Sequence, residues 1–196
     1  MDKSGKYGIV AIACSTGGPQ ALHKLLPMLP ERLGVPIVVL QHMPAGFTKT
    51  LATRVNDISA LTVKEAENGE LLLPDTVYIA QGGKHFEVKG KAGKLYANVY
   101  KGPPVNNLRP NADVMFESLI DVNVKSIICV VLTGMGSDGT KGIALLKEKK
   151  DVFCITQNEE SCVVYGMPRA VELSGLSDAS VPLYKIAETI SNKIGG

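Results

Sequence analysis

Ile9-Val10-Ala11-Ile12-Ala13-Cys14-Ser15-Thr16-Gly17-Gly18-Pro19 joins an apolar, β-branched run to a polar pair, two glycines and a stretch of helical spacing over 19–26. Residues 8–13 have the length and composition of a strand buried on both faces, which belongs in a parallel sheet between helical layers. Downstream, similar runs at 36–40, 76–80, 126–132 and 152–156 predict further strands. Helical spacing at 48–56, 112–121, 140–147 and 185–193 supplies the crossovers that parallel strands need. Within 112–121, Met115, Phe116, Leu119 and Ile120 form one apolar stripe. This alternation predicts a three-layer, mostly parallel α/β sheet. One region departs from it: 85–88 and 94–100 flank Gly90 and Gly93 in a pattern that suits an antiparallel hairpin.

The chain has 196 residues, 45% hydrophobic and 20% charged, enough for one substantial core and too apolar for a disordered or fibrous chain. No repeat, low-complexity tract or linker interrupts it, so one domain over residues 1–196 is expected. A net charge of +2 gives no ground for a nucleic-acid or membrane-surface partner. No segment has the length of a signal-peptide core or a membrane span, which predicts a cytoplasmic protein without membrane insertion. Cys14, Cys129, Cys154 and Cys162 form no CxxC pair, and three of them sit in apolar runs. They read as reduced, buried thiols, with neither a zinc site nor a disulfide framework, and no cofactor is expected.

Three strand ends run into polar residues and glycine: Cys14-Ser15-Thr16-Gly17-Gly18, Gln41-His42-Met43-Pro44 and Thr133-Gly134-Met135-Gly136-Ser137-Asp138-Gly139. Open parallel sheets bind ligands beyond the carboxyl ends of their strands, so Ser15, His42 and Asp138 can converge despite their separation in sequence. Their types are those of a nucleophile, a general base and an orienting carboxylate. Each also has an ordinary reading. Ser15 or Thr16 can cap the helix that follows, or the turn can cradle a phosphate as a nucleotide-binding module with Gly17 and Gly18 at a helix N-terminus. A rigidly held histidine can be structural, and Asp138 can cap the helix starting near Gly139. His23, in a helical pattern, and His85, at the hairpin start, read as structural or surface positions. A thiol hydrolase using Cys14 is a third reading, against which strand alternation places Cys14 in the core.

Four long motifs carry a resemblance. Residues 13–18, 41–48, 132–139 and 161–169 (Ser161-Cys162-Val163-Val164-Tyr165-Gly166-Met167-Pro168-Arg169) together resemble the catalytic domain of the chemotaxis protein-glutamate methylesterases, the CheB family. The similarity runs over residues 7–190. It implies a doubly wound α/β domain with a hairpin, hydrolysis of glutamate γ-methyl esters on the cytoplasmic helices of methyl-accepting chemotaxis receptors with release of methanol, and deamidation of receptor glutamines. Carried over residue by residue, it implies Ser15 as nucleophile, His42 as base and Asp138 as carboxylate. Thr16 and Met135 would line the site, with the N–H groups near them as oxyanion donors. Family members usually carry a receiver domain ahead of this one, so a separate phosphorylated receiver is a candidate partner.

Between Lys84 and Arg109 six basic residues (Lys84, Lys89, Lys91, Lys94, Lys101, Arg109) stand against Glu87. This basic lobe is either a docking surface for an acidic receptor helix or a solvated hairpin.

Overall fold

The computed structural model describes residues 7–195. Residues 1–6 and 196 of the expected domain, including the polar lead-in, lie outside the described residues.

Strands β1 (Ile9–Cys14), β2 (Ile37–Gln41), β3 (Thr62–Glu65) and β4 (Thr76–Ile79) form one half of a parallel sheet, and β7 (Ser126–Val131), β8 (Asp151–Gln157) and β9 (Ala179–Val181) form the other. Their order is β3-β4-β2-β1-β7-β8-β9. β5 (His85–Lys91) and β6 (Lys94–Tyr100) pair antiparallel as a separate hairpin. Every residue of β1, β2 and β7 is buried, as the uninterrupted apolar runs require. Strand alternation divides them between two cores. Val10, Ile12 and Cys14 face helices α1 (Gly18–Leu25), α2 (Phe47–Asn56) and α6 (Leu183–Gly195). Ile9, Ala11 and Ala13 face α3 (Ala112–Ser118), α4 (Thr140–Lys149), α5 (Met167–Leu173) and the hairpin residues Phe86, Val88, Ala97 and Val99.

The three-layer architecture and the hairpin are as expected, with differences at the margins. The sheet gains edge strands β3 and β9, and the second helical layer gains α5. Helix α3 ends at Ser118, short of the expected 121, and its start is fixed by Asn111, whose side chain accepts the Val114 N–H at 3.0 Å.

Sheet order places the functional end. β1 sits between β2 on one side and β7 on the other, so the chain winds outward in both directions from β1, and the C-terminal ends of β1 and β7 form the switch point at which open parallel sheets bind ligands. The hairpin's tip points the other way. Its turn, with Gly93 and Lys94, shares a surface cavity with Gly8, Pro36 and Pro74, which precede β1, β2 and β4. Lys91 and Lys94, the last pair of the hairpin, therefore lie at the N-terminal end of the sheet, opposite Ser15 and His42. Lys89 pairs with Glu87 at 2.9 Å. The basic lobe is thus not one surface. Lys84, Lys101 and Arg109 stay at the site end, where the Gly83 N–H reaches the Arg109 carbonyl and the Arg109 guanidinium reaches the Gly102 carbonyl.

Helices α3 and α4 cross at Gly142, where a Cβ would lie 2.7 Å from the Asp113 carbonyl oxygen and 3.0 Å from Phe116 Cβ. Gly142→Ala must separate the two helices, and denaturant titration should show a loss of about 1–3 kcal/mol, the usual range for overpacking a core. An unchanged midpoint would mean that the crossing is looser than described.

Candidate active site

Ser15 occupies the first position past β1. Its N–H donates to the Thr133 carbonyl at 3.0 Å, continuing the β1–β7 pairing, and its carbonyl accepts the Gly18 N–H at 2.7 Å to close a turn. The N-cap of α1 is Gly17, in the left-handed region at φ 81°, and no side chain caps the helix. The hydroxyls of Ser15 and Thr16 are therefore not spent on helix capping. From β7, Gly134 packs so closely on this turn that a Cβ there would lie 2.9 Å from Ser15 Cβ. Among the described residues, the N–H groups of Thr16 and Met135 donate to no acceptor.

His42 follows β2, anchored by its N–H on the Cys14 carbonyl at 3.1 Å. Alternation turns Gln41 toward α1 and His42 toward the α3 side, where His42 Nε2 meets Asp138 Oδ2 at 2.7 Å. Both side chains are largely covered, with 12% and 6% of their surfaces exposed. Asp138 does not cap α4, contrary to the local reading. Its Oδ2 accepts the Ala112 N–H at 2.6 Å and its Oδ1 the Asp113 N–H at 3.1 Å, so it caps the start of α3. Asp113 returns the arrangement, with Oδ1 accepting the N–H groups of Gly139 and Gly142 at the start of α4 at 3.0 and 2.7 Å. Burial, with Asp138 nearby, pushes the Asp113 carboxyl above its ordinary range.

The turn holding Ser15 is stitched to two other loops by a residue that the sequence reading left without a role. Thr133 is buried, and its hydroxyl donates to the Thr16 carbonyl at 2.9 Å and accepts the Val163 and Val164 N–H groups at 3.1 and 3.0 Å. Gln157, at the end of β8, accepts the Thr133 N–H and donates to the Ser161 carbonyl. Gln41, Thr133 and Gln157 share one visible sign, a polar residue ending an apolar run.

Exposed apolar side chains surround this end of the sheet. Met135 is 74% exposed and Val163 61%, the latter against Gly17. Phe47, 60% exposed, lines a cavity of about 370 Å³ with Met43, Pro19 and His23. His23 and His85 are tied to backbone carbonyls, of Pro19 and Pro103. Cys14 is fully buried and faces the α1 side, where burial raises its thiol far above the ordinary value. Among the described residues no three His, Cys, Asp or Glu side chains gather as a metal site, and no helix is long and apolar enough to cross a membrane.

The family model described as CheB methylesterase matches residues 10–190. A protein-glutamate methylesterase/protein-glutamine glutaminase of Geobacillus kaustophilus is 49% identical over 190 residues, covering 97% of this chain and 54% of that protein. The protein of the same name from Thermotoga maritima is 46% identical over 187 residues, covering 95% of this chain and 54% of its own length. The chain thus spans about half the length of the curated relatives it matches. The crystal structure of the Thermotoga maritima CheB methylesterase catalytic domain superposes with a TM-score of 0.91 at 45% identity, covering 95% of this chain and 98% of that one. The nucleotide-binding alternative is not favoured by these likenesses.

Cysteine reactivity tests the burial pattern. Cys162 is half-buried and its thiol is pushed up to about 11, whereas Cys14, Cys129 and Cys154 are enclosed. A thiol reagent should label Cys162 first, with a rate rising about tenfold per pH unit below that value, and reach Cys14 only on unfolding. Prompt labelling of Cys14 in the native protein would reopen the thiol reading.

Proposed function

Since the chain belongs to the CheB methylesterase family, we propose that it is a cytoplasmic serine esterase, one catalytic domain over residues 1–196, that hydrolyses glutamate γ-methyl esters on the cytoplasmic helices of methyl-accepting chemotaxis receptors. Deamidation of receptor glutamines is the second activity of the same site, and a phosphorylated receiver domain is its regulator. The observation that carries the reading is the 2.7 Å bond from His42 to an Asp138 that two backbone N–H groups hold in place.

The ring nitrogens divide the work. Asp138 takes Nε2–H, which leaves Nδ1 as the nitrogen with a lone pair for the Ser15 proton. This reverses the serine-protease arrangement, in which the carboxylate holds Nδ1 and Nε2 is the base. As Ser15 Oγ attacks the ester carbonyl, His42 Nδ1 accepts its proton, and Asp138 stabilises the imidazolium without taking the proton itself. The oxyanion of the tetrahedral intermediate lies against the unengaged N–H groups of Thr16 and Met135. His42 then returns the proton to the methoxide, methanol leaves, and the acyl-serine remains. Water repeats the sequence and frees the glutamate carboxylate. With glutamine the leaving group is ammonia. Met135 and Val163 at the rim shield the acyl-serine and give a helix surface an apolar seat.

The direct test is methanol release from methylated receptor by this chain. Ser15→Ala and His42→Ala should each lower kcat by about 10³-fold or more while keeping the fold, and the double variant should be hardly worse, because the groups act in one step. Additive losses would separate them.

Asp138→Asn should fail in two ways. Three donors face the carboxylate, and a carboxamide must turn its NH2 toward at least one of them. We expect kcat to fall by about 10²- to 10⁴-fold through the wrong imidazole tautomer. The Tm should drop by about 2–8 °C as the α3 cap weakens. Turnover near that of the parent would reduce Asp138 to a cap.

A further inference from the structure

The last register pair of β1 and β2 is Cys14 with Gln41, and beyond it the two strands leave the sheet as Ser15 and His42. Beyond that pair one ladder bond remains between the two segments, from the His42 N–H to the Cys14 carbonyl, and no backbone bond joins Ser15 to His42 directly. The Gln41 side chain takes over. Its Nε2 donates one N–H to the Ser15 carbonyl and the other to the His42 carbonyl, both at 3.0 Å. Only 2% of Gln41 is exposed, so these bonds are shielded from bulk solvent.

The other end of the amide shows that packing alone does not account for a glutamine here. Gln41 Oε1 is buried without a hydrogen-bond partner. It lies over Gly18, where a Cβ would come within 1.8 Å of it. A methionine or leucine would fill the same volume without a desolvated, unpartnered oxygen. The oxygen is tolerated because it faces the N-terminal, positive end of α1. The NH2 group it comes with has two acceptors that belong to the two residues whose separation matters most.

We propose that Gln41 is a positioning residue, a clamp whose amide couples the backbone of Ser15 to that of His42 and so sets the distance over which the proton passes. Gly18 belongs to the clamp, since any side chain there would evict the amide. The inference rests on the esterase reading, with Ser15 as nucleophile and His42 as base. Gln41 itself touches no substrate.

Three variants test it, in methanol-release assays on methylated receptor with active sites counted by a fluorophosphonate that reacts with Ser15. Gln41→Met keeps the volume and removes both N–H groups. Per active site, its kcat should fall about 10- to 100-fold with KM within about threefold, because misplacement at the reacting atoms costs turnover rather than docking. Gly18→Ala attacks the same amide from the other side and provides a second route should Gln41→Met fold poorly. It should show the same split, and the double variant should be no worse than the worse single one. Ile127→Ala, at the far end of β7, lowers the Tm without touching the clamp and should keep its kcat per active site.

If Gln41→Met or Gly18→Ala retains kcat per active site within twofold, or if Ile127→Ala loses as much as they do, the clamp is overturned. Methanol release that survives Ser15→Ala would instead overturn the assignment of Ser15 as nucleophile on which it rests.

Discussion

The Asp138 carboxylate ties the start of α3 to the His42 ring at the site end of the sheet. It accepts N–H groups from the first turn of α3 and from the His42 ring, while Asp113 from α3 accepts those opening α4. The two helix starts therefore hold each other, and the histidine is fixed to the joint. Two buried carboxylates side by side repel, which is one reason the Asp113 carboxyl is raised. The four helix N–H groups offset that repulsion, because helix N-termini favour negative charge. The consequence for chemistry is rigidity. A ring held at Nε2 by a carboxylate that two backbone N–H groups fix keeps one orientation.

Around that joint the parallel sheet does the gathering. Ser15, His42 and the Thr133–Asp138 loop follow β1, β2 and β7, strands adjacent in space in the order β2-β1-β7, although more than a hundred residues separate Ser15 from Thr133. Because parallel strands all end on the same edge, residues one or two positions past each strand meet without a long loop. Gln41, Thr133 and Gln157 then make the bonds that the sheet ladder stops supplying at its edge.

The central strands and most crossover helices were legible in the sequence because burial on both faces leaves an uninterrupted apolar run. The edge strands were not. β3 alternates toward Lys64 and Glu65 and is only partly covered, and β9 has three residues, none of them fully buried. Helix α5 lay inside a motif noticed for its resemblance rather than its periodicity. Ser15, His42 and Asp138 could be named from strand ends, but the partner of Asp138 could not. Capping across 26 positions leaves no local trace, and Asp113 sits among the apolar residues of α3. The division of the basic lobe between two ends of the molecule was hidden for the opposite reason. Its residues are close in sequence, yet a seven-residue strand carries Lys91 away from the end where Lys84 remains.

The proposed mechanism requires the resting proton of His42 on Nε2. Nitrogen-15 NMR of the labelled protein, with the His42 signals identified by their loss in His42→Ala, reads this directly. At a pH where the ring is neutral, the Asp138 bond predicts the proton on Nε2, with Nδ1 showing the shift of an unprotonated nitrogen. A neutral ring protonated on Nδ1 would contradict the geometry and return the base to the other nitrogen.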